Sequence, residues 1–299
     1  MQKLLRSPIV GNSVLNPIES IMKIVTLPDG LNTENSRPIL VFDYQSSTAL
    51  SRQQIILNQI SFRFLLEGTK EVLFDISALS IDNSEFLIMK SGHCLMTEEL
   101  SEIRNYRSML LFFSNEMLLD FIRKNKLEHL KPSEHRSVFS FKYDAFIQSY
   151  VQSLEGISKL PRSTMNKLIP LKFEEIMLYL VEKHGSQFLF SLLVHSDRSA
   201  QQFTRTIESN SLNKLTLKEL AFLCNMSVST FKRVFERHYS ESPIKWFQNK
   251  RLEHAHFLIH QEHRTPSEIY FEVGYESLSS FIQAYKSKFG ITPKQHQYN

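Results

Sequence analysis

The sequence predicts an α+β protein with an N-terminal β-barrel and following helices, then an all-α C-terminal domain in which a long helix joins two helix-turn-helix units. Three observations lead to this prediction. Short β-rich runs fill residues 38 to 113, apolar residues recur at helical spacing from residue 115, and one residue pattern occurs twice near the C-terminus. The chain of 299 residues is long enough for two hydrophobic cores. We divide it into a β-barrel regulatory domain (1–115), a helical linker and dimerisation region (116–196) and a C-terminal domain (197–299).

The first predicted element is a loop with one or two short strands over residues 1 to about 36, where prolines and a glycine interrupt any longer periodicity. Polar turn signals then separate short runs of apolar and β-branched residues, and strands at this spacing are typical of a barrel or sandwich. The predicted strands are Ile39–Tyr44, Ile60–Leu66, Glu71–Asp75, Glu85–Met89 and Arg107–Phe113.

The interior of this predicted barrel is rich in phenylalanine at alternate strand positions. Alternation places such side chains on one face of a sheet. They either fill a solid core or line a space for a small effector, and both alternatives are open at this stage. The phenylalanines concerned are Phe62, Phe64, Phe74, Phe86 and Phe112.

Three helices are predicted after the strands, at Asn115–Lys126, Tyr143–Glu155 and Leu171–Lys183, because apolar residues recur there at positions i, i+3, i+4 and i+7. Pro161, Pro170 and Gly185 are expected to interrupt or end helices. An apolar helical face needs a partner to cover it. These helices therefore pack on the barrel, and either they also form a dimer surface or they only complete one core.

The C-terminal region begins with a helix predicted near Ala200 to Asn210, and a duplicated pattern follows it. Hydroxyl, aromatic and proline residues recur in register with an offset of 50 positions, which indicates an internal repeat. The matching pairs are Ser227 and Ser277, Phe231 and Phe281, Phe235 and Tyr285, Tyr239 and Phe289, and Pro243 and Pro293.

Each copy also carries signals for a preceding helix. Thr216 with Glu219, and Thr265 with Glu268, have the T-x-x-E spacing of a capping box at a helix N-terminus. Asn225 and Gly274 then stand where a left-handed residue would end that helix, and Ser227 and Ser277 can cap the next one. A helix, a tight turn and a capped second helix form a helix-turn-helix unit, whose second helix fits the major groove of DNA.

Ile244 to His260 is predicted to form the helix that joins the two copies. About 17 residues with a rise of 1.5 Å each span roughly 25 Å. Such a helix could hold two recognition helices about one DNA turn apart, roughly 34 Å. Its apolar stripe consists of Trp246, Phe247, Leu252, Ala255, Leu258 and Ile259.

These motifs resemble the DNA-binding domain of the AraC/XylS-type transcription regulators. The resemblance covers about a hundred residues, with Tyr270 and Gln283 as departures from the family pattern. The order of strands and turns before residue 113 resembles the cupin-like barrel that precedes this domain in many members. The motifs that carry the resemblance are Ser227-x3-Phe231-x-Arg233-x-Phe235, Ser242-Pro243-x2-Trp246, Arg251-x3-Ala255-x2-Leu258-Ile259, Ile269-x3-Val273-Gly274-Tyr275 and Phe289 to Pro293.

The exposed faces of the two predicted recognition helices give candidate DNA contacts. We predict that Lys232 and Arg233 read base edges, with a shorter contact from Ser229, because Arg or Lys can bridge O6 and N7 of guanine. The resemblance places base reading at the same positions. In the second helix the equivalents are Ser279, Ile282 and Gln283. Predicted phosphate contacts come from Arg237, Lys245, Lys250, Lys286 and Lys288, although a solvated surface is an equally good interpretation for any single lysine.

The family resemblance implies a structural role for Arg251 between the two units.

Composition agrees with a polyanion-binding C-terminal domain. The formal net charge is +4, and residues from Arg198 onward hold 14 basic and 9 acidic residues, a local charge of +5. That excess alone is also compatible with ordinary scatter. No apolar run is long enough for a membrane span or a signal peptide, and two separated cysteines exclude a disulfide framework, so a cytoplasmic location is expected.

Catalytic and metal signals are weak. His93 is the single histidine in the region of the predicted strands. His256 and His260 have the i, i+4 spacing that two metal ligands on a helix use, and His254 and His263 are nearby, but the pattern provides no third ligand. No nucleotide-binding, nucleophile-elbow, C-x-x-C or H-E-x-x-H motif is present in the sequence. We therefore expect no enzymatic activity, no cofactor and no metal.

The sequence as a whole favours a sequence-specific transcription regulator, an activator by family resemblance, that binds double-stranded DNA under control of its N-terminal domain. RNA polymerase is a partner implied by the resemblance. A small-molecule effector, a protein partner and a homodimer are open alternatives, and the effector-binding residues are unknown. Two rival hypotheses are an adaptor controlled by a partner protein with secondary DNA affinity, and a metal-dependent cupin enzyme fused to a DNA-binding domain.

Overall fold

The computed structural model describes residues 24–31, 38–74, 78–127, 136–193 and 199–297. The chain divides into two compact units, Met1–Ser199 and Ala200–Asn299, which are described separately. Most of the loop predicted for residues 1 to 36 and the boundary predicted at residue 196 lie outside the described residues. The division into two units agrees with the two cores that the chain length allows.

The first unit is built on two five-stranded sheets. Their strands are β1 (Val25–Leu27), β2 (Ile39–Ser46), β3 (Leu50–Leu57), β4 (Ile60–Glu67), β5 (Thr69–Leu73), β6 (Leu79–Ile81), β7 (Glu85–Met89), β8 (Gly92–Glu99), β9 (Tyr106–Phe113) and β10 (Val138–Lys142). One sheet has the order β1-β3-β8-β5-β6 and the other has the order β10-β7-β4-β9-β2. All pairings are antiparallel except the parallel pair β1 and β3.

The prediction of a closed barrel is corrected to two packed sheets, because the described strands form two separate five-stranded ladders. Alternation along β4 shows how the second sheet serves two cores. Leu65 belongs to the core between the sheets, whereas Phe62 and Phe64 belong to a core on the opposite face, which helices cover. The predicted interior is therefore split: Phe74 and Phe112 lie between the sheets, and Phe86 joins Phe62 and Phe64 beneath the helices.

The five predicted strands are present, and β1 lies in the region of residues 1 to 36 for which one or two short strands were predicted. Sequence reasoning missed β3, β6, β8 and β10. Strand β3 contains the polar run Ser51–Gln54, which hides its alternation, and β8 begins at Gly92, within the polar segment that follows the predicted strand Glu85–Met89. Both strands pair with each other in the first sheet. Their hydrogen bonds to distant segments stabilise them, and a local pattern does not report such pairing.

Four helices cover the second sheet: α1 (Asn115–Lys124), α2 (Ala145–Ser158), α3 (Arg162–His184) and α4 (Gln187–Leu193). They belong to the same hydrophobic cluster as the sheet, so they complete the first unit's core. Pro170 lies inside α3, contrary to our expectation that it would interrupt the helix. Ile169 and Phe173 are buried on either side of it, and their packing compensates for the hydrogen bond that a proline cannot donate. Within the described residues, no helix has both the length and the apolar character needed to cross a bilayer.

An ion pair that the sequence did not reveal is buried between the two sheets. The ammonium of Lys70 lies 2.5 Å from a carboxylate oxygen of Glu98 and 3.3 Å from the hydroxyl of Tyr106. Burial lowers the pKa of Lys70, and the Glu98 carboxylate opposes that shift. The pair joins the neighbouring strands β5 and β8 of the first sheet, in which Lys70 and Glu98 lie opposite each other. A buried pair of this kind is expected to fix strand register more than to add stability.

The second unit consists of seven helices in its described part: α5 (Ser199–Ser209), α6 (Leu217–Leu223), α7 (Val228–Tyr239), α8 (Pro243–His260), α9 (Pro266–Ile269), α10 (Leu278–Phe289) and α11 (Pro293–Gln297). The predicted joining helix is confirmed as α8. Its first turns contribute Trp246 and Phe247 to one hydrophobic cluster with α5, α6 and α7. Its later turns contribute Leu252, Ala255 and Ile259 to a second cluster with α9 and α10.

The two predicted helix-ending residues have the left-handed conformation that a tight turn needs. Asn225 has a φ of 52° and Gly274 has a φ of 93°. A Cβ atom at Gly274 would also lie 3.2 Å from Cδ of Arg251. Gly274 therefore serves two needs, a positive φ and close approach of the Arg251 side chain to the backbone.

Replacing Gly274 by Ala should lower the free energy of unfolding of the second unit, because the change adds left-handed strain of about 1–2 kcal/mol and displaces Arg251. Gly290→Ala is the matched control, since Gly290 also has positive φ but no atom within 4 Å of the added Cβ. Urea denaturation of both variants measures the difference. A loss at Gly274 no larger than that at Gly290 would show that contact with Arg251 does not constrain this turn.

Candidate nucleic-acid interface

Both predicted recognition helices begin at a serine that caps them. The hydroxyl of Ser227 accepts a hydrogen bond from the backbone N–H of Thr230 at 3.2 Å, and the hydroxyl of Ser277 accepts one from Ser280 at 3.2 Å. Each contact satisfies an N–H group that lacks a partner within the first turn. The duplicated serines therefore fix the start of α7 and of α10 in the same way.

The helices that precede them are capped as predicted. Glu219 accepts a hydrogen bond from the backbone N–H of Thr216 at 2.7 Å, and Glu268 accepts one from Thr265 at 2.7 Å. The reciprocal bond from Glu219 N–H to the Thr216 hydroxyl measures 3.2 Å. Equivalent caps in both copies confirm the duplicated helix-turn-helix pattern.

The orientation of α7 follows from its aromatic face. The ring of Phe235 lies 5.7 Å from that of Trp246 and 5.9 Å from that of Phe247, both on α8. Phe231 packs 5.8 Å from Phe203 on α5. With this face buried, the opposite face of α7 is presented to solvent.

The predicted base-reading residues of α7 lie on that exposed face. Ser229, Lys232 and Arg233 are all exposed, and Glu236 and Arg237 continue the same polar surface. The Ser229 hydroxyl lies 3.0 Å from that of Ser227, so part of its hydrogen-bonding capacity is used by the cap. The face holds three basic side chains against one acidic side chain, which suits the edge and backbone of a duplex.

Helix α10 presents a different surface. Ser279 and Gln283 are exposed, but Ile282 is half-buried and packs against the second hydrophobic cluster. An apolar contact from Ile282 to a thymine methyl would use only the exposed part of this side chain. The second recognition helix therefore offers mainly neutral polar groups, whereas the first offers positive charge.

The predicted phosphate-contacting residues separate into two groups. Arg237, Lys245 and Lys286 are exposed. Lys288 instead bonds to Glu253 at 2.9 Å and to the backbone carbonyl of Asn249 at 2.9 Å, and its side chain is only 19% exposed. The Lys288 ammonium lowers the pKa of Glu253. Lys288 thus connects α10 to α8 inside the protein.

Lys250 is intermediate between these groups. Its ammonium lies 5.4 Å from the Trp246 ring centroid and 3.4 Å from a carboxylate oxygen of Glu253, with 43% of the side chain exposed. Exposed ion pairs of this geometry are weak. Lys250 could therefore leave Glu253 and bind a DNA phosphate. Its phosphate contact remains a prediction.

Sequence reasoning missed a direct contact between the two halves of the second unit. Lys214, which precedes α6, donates a hydrogen bond to the backbone carbonyl of Phe271 at 2.6 Å, and its ammonium lies 4.2 Å from the Phe271 ring centroid. The residues are 57 positions apart, so no local pattern signals the pair. The implied structural role of Arg251 takes the form of packing against Gly274, and its buried Nε has no hydrogen-bond partner among the described residues.

His93 and Cys224 are both partly buried. Burial lowers the pKa of His93 and raises that of the Cys224 thiol to about 12, which keeps this thiol protonated at neutral pH. Within the described ranges, no group of three or more His, Cys, Asp or Glu side chains is arranged to hold a metal ion. The geometry of the second unit is that of a double helix-turn-helix domain with a polar, partly basic surface.

Comparisons with known families agree with this geometry in both units. Residues 220–298 match a family described as a helix-turn-helix domain, and residues 61–192 match one described as the ExsA N-terminal regulatory domain. The chain carries an AraC-type helix-turn-helix domain, preceded by an ExsA-type N-terminal domain. The first match covers both capped recognition helices, and the second covers most of the sheets together with α1 to α4.

Curated relatives of this chain include two Yersinia proteins. The thermoregulatory protein LcrF of Yersinia pestis is 30% identical over 165 residues, 54% of this chain and 60% of LcrF. The virulence regulon transcriptional activator VirF of Yersinia enterocolitica is 31% identical over 157 residues, 52% of this chain and 57% of VirF. The chain thus spans about three-fifths of the length of these relatives. A crystal structure of apo ToxT from Vibrio cholerae covers 89% of this chain and 99% of ToxT with 11% identity and a TM-score of 0.41.

Removing the charge of Lys214 should loosen the connection between the two halves of the AraC-type domain. We expect Lys214→Met to lower the free energy of unfolding of the second unit by about 1 kcal/mol, because it removes a charge-assisted hydrogen bond and a cation–π contact. Lys245→Met is the control, since Lys245 is exposed and surface changes usually stay within about 0.5 kcal/mol. Urea denaturation measures both, and equal losses would contradict a connecting role for Lys214.

Proposed function

We propose that this protein is a sequence-specific activator of transcription that inserts α7 and α10 into successive major grooves of one DNA duplex. The observation that carries the proposal is the pair of capped helices on similar hydrophobic cores, both anchored on α8. At 18 residues, α8 has a length of about 27 Å. This length is compatible with helices held about one DNA turn apart, roughly 34 Å.

The finer parts of the proposal rest on the family and on the relatives. VirF is named as a transcriptional activator, and this supports activation for the present chain. An activator of this kind would act in the cytoplasm and would contact RNA polymerase. The N-terminal unit would control DNA binding through a small-molecule effector, a protein partner or a homodimer. Such control requires that the signal bind the DNA-competent and DNA-incompetent forms with different affinity. We propose no catalytic role for either unit.

Differences between the two recognition helices suggest that the helices contribute differently to the affinity and to the sequence preference of DNA binding. Lys232, Arg233 and Arg237 on α7 provide charge for guanine edges and phosphates. On α10, Gln283 provides an amide that can pair with adenine, and Lys286 is the exposed basic side chain of the predicted contact set. The first half-site would therefore supply most of the affinity, and the second would add sequence preference.

A second candidate function is an adaptor whose DNA affinity is secondary to binding a protein partner. The internal pairing of Lys288 and the half-buried Ile282 favour it, because both reduce the contacts that α10 can make with DNA. Affinity measured against salt concentration distinguishes the two functions. Contact with six or more phosphates predicts a slope of log K against log salt near −5 or steeper, whereas the adaptor predicts a shallow slope.

Selection of bound duplexes from a random pool, followed by sequencing, tests base reading directly. We expect Arg233→Ala to cost roughly 1–3 kcal/mol and to relax sequence preference at one position, because a bidentate contact with guanine is lost. Arg237→Ala on the same helix is the matched control, and it should weaken all sequences uniformly. An unchanged selected sequence with Arg233→Ala would remove this residue from base reading.

The spacing of the two half-sites provides an independent prediction. Inserting about five base pairs between them rotates one half-site by half a turn, to the opposite face of the duplex. Because α8 is one continuous helix, the second recognition helix cannot follow, and affinity should fall to that of a single half-site. Mobility-shift titration of the original, inserted and single-site duplexes measures this. Equal affinity for the first two would contradict simultaneous binding of α7 and α10.

A further inference from the structure

Three imidazole rings meet where the end of α8 packs against the last helix of the described chain. The ring of His256 lies 4.6 Å from that of His296 on α11 and 5.3 Å from that of His260. His260 and His296 are 5.9 Å apart. The sequence brings together only His256 and His260 at helical spacing, and the fold adds His296 from 36 positions further along the chain.

The hydroxyl of Tyr285 on α10 bridges two of these rings. It lies 2.9 Å from Nδ1 of His256 and 3.0 Å from Nδ1 of His296. The side chain is buried, and burial raises the pKa of Tyr285 to about 12, so the hydroxyl keeps its proton at neutral pH. A hydroxyl donates one hydrogen bond. It therefore donates to one imidazole and accepts from the N–H of the other, and at least one of the two rings must be neutral.

This bridge joins α10, which is the second recognition helix, to α8 and α11. Tyr285 lies on the buried face of α10, whose opposite face carries the predicted base-reading residues. The ring of Phe289, at the end of α10, stacks on His256 with centroids 5.1 Å apart. The backbone N–H of His296 donates to the carbonyl of Thr292 at 3.1 Å, which ties the bridge to the first turn of α11.

Charged and titratable groups lie on each of the helices around the cluster. Burial lowers the pKa of His256, and the positive charges that His296 and His260 can acquire lower it further. From α10, the ammonium of Lys288 lies 5.6 Å from the Phe289 ring centroid and is paired with Glu253 of α8. Lys294 on α11 is exposed, and Glu268 at the start of α9 is held by Thr265. The Glu253 and Glu268 carboxylates are therefore both already hydrogen-bonded to other side chains.

We propose that His256, His296 and Tyr285 form a pH-sensitive latch that holds α11 and α10 on α8 at neutral pH and releases α11 on acidification. When both rings are protonated, both Nδ1 atoms carry hydrogen, the tyrosine proton loses its acceptor in the bridge, and the two cations repel each other. The latch adds a control of the second helix-turn-helix unit that is separate from the N-terminal unit.

The direction of the pH effect follows from proton linkage. Because the pKa of His256 is lowered in the closed form, that form binds fewer protons than an open form with an ordinary histidine pKa of about 6.5. The latch contributes its full stability above about pH 6.5 and loses it as the pH falls toward the lowered pKa. Opening should increase up to about tenfold for each unit by which the pKa is lowered.

Hydrogen exchange of the backbone amides in α11 tests the latch with the full chain, in the presence of a chelator, at about pH 7.5 and pH 5.5. After correction for intrinsic exchange rates, we expect protection of the His296 amide to fall at the lower pH, by up to about tenfold. His256→Asn places a non-titrating amide near the position of the imidazole Nδ1 atom, and it should remove most of the pH-dependent loss of protection. His254→Asn is the matched control, because His254 is on α8 but stacks on Phe257 and lies outside the cluster.

Tyr285→Phe provides a second variant that preserves the buried ring and deletes the bridging hydroxyl. It should lower protection of α11 already at pH 7.5 and leave a smaller further change on acidification. The proposal is overturned if His256→Asn keeps the full pH effect, or if His254→Asn removes as much of it. The measurement needs no DNA, so its outcome is independent of whether the proposed function is correct.

Discussion

Helix α8 carries the constraint on which the DNA-binding unit depends, because its apolar residues are divided between two cores. Trp246 and Phe247 complete the first core, and Leu252, Ala255 and Ile259 complete the second. Since one continuous helix serves both, a rotation or shift of one core is transmitted to the other as a rigid-body change. The Lys214 contact to Phe271 and the Lys288 bond to the Asn249 carbonyl add polar connections along the same axis. The relative position of α7 and α10 is therefore set by packing inside the unit.

The two recognition helices share their construction but differ in what they offer to a ligand. A serine cap and an aromatic buried face are repeated in both copies, and these features decide where each helix begins and which way it faces. Their exposed residues are free to diverge, because packing does not constrain them. The basic surface of α7 and the mainly neutral surface of α10 are compatible with one half-site that supplies most of the affinity and another that supplies discrimination.

The N-terminal unit shows how a buried polar group can accompany a largely apolar core. Lys70 and Glu98 are both almost fully buried between the sheets, and the Tyr106 hydroxyl lies near the same ammonium. Each strand of this pair could satisfy the alternation of apolar residues in another register, but only one register brings the charges together. A slip by two residues would keep the alternation but would bury an unpaired charge at high cost. The pair therefore discriminates against wrong strand alignment in the unit that would control DNA binding.

The sequence by itself determined the double helix-turn-helix architecture, since caps at Ser227 and Ser277 and the apolar stripe of α8 depend on residues within a few turns of one another. It also gave the exposed base-reading candidates on α7. Only the tertiary structure decided that the β strands form two sheets rather than a barrel, that Pro170 lies within α3, and that Lys288 and Ile282 are partly withdrawn from the surface. It alone brought His296 to His256. The physical reason is that these outcomes depend on contacts between residues far apart in the chain, and local spacing carries no information about such contacts.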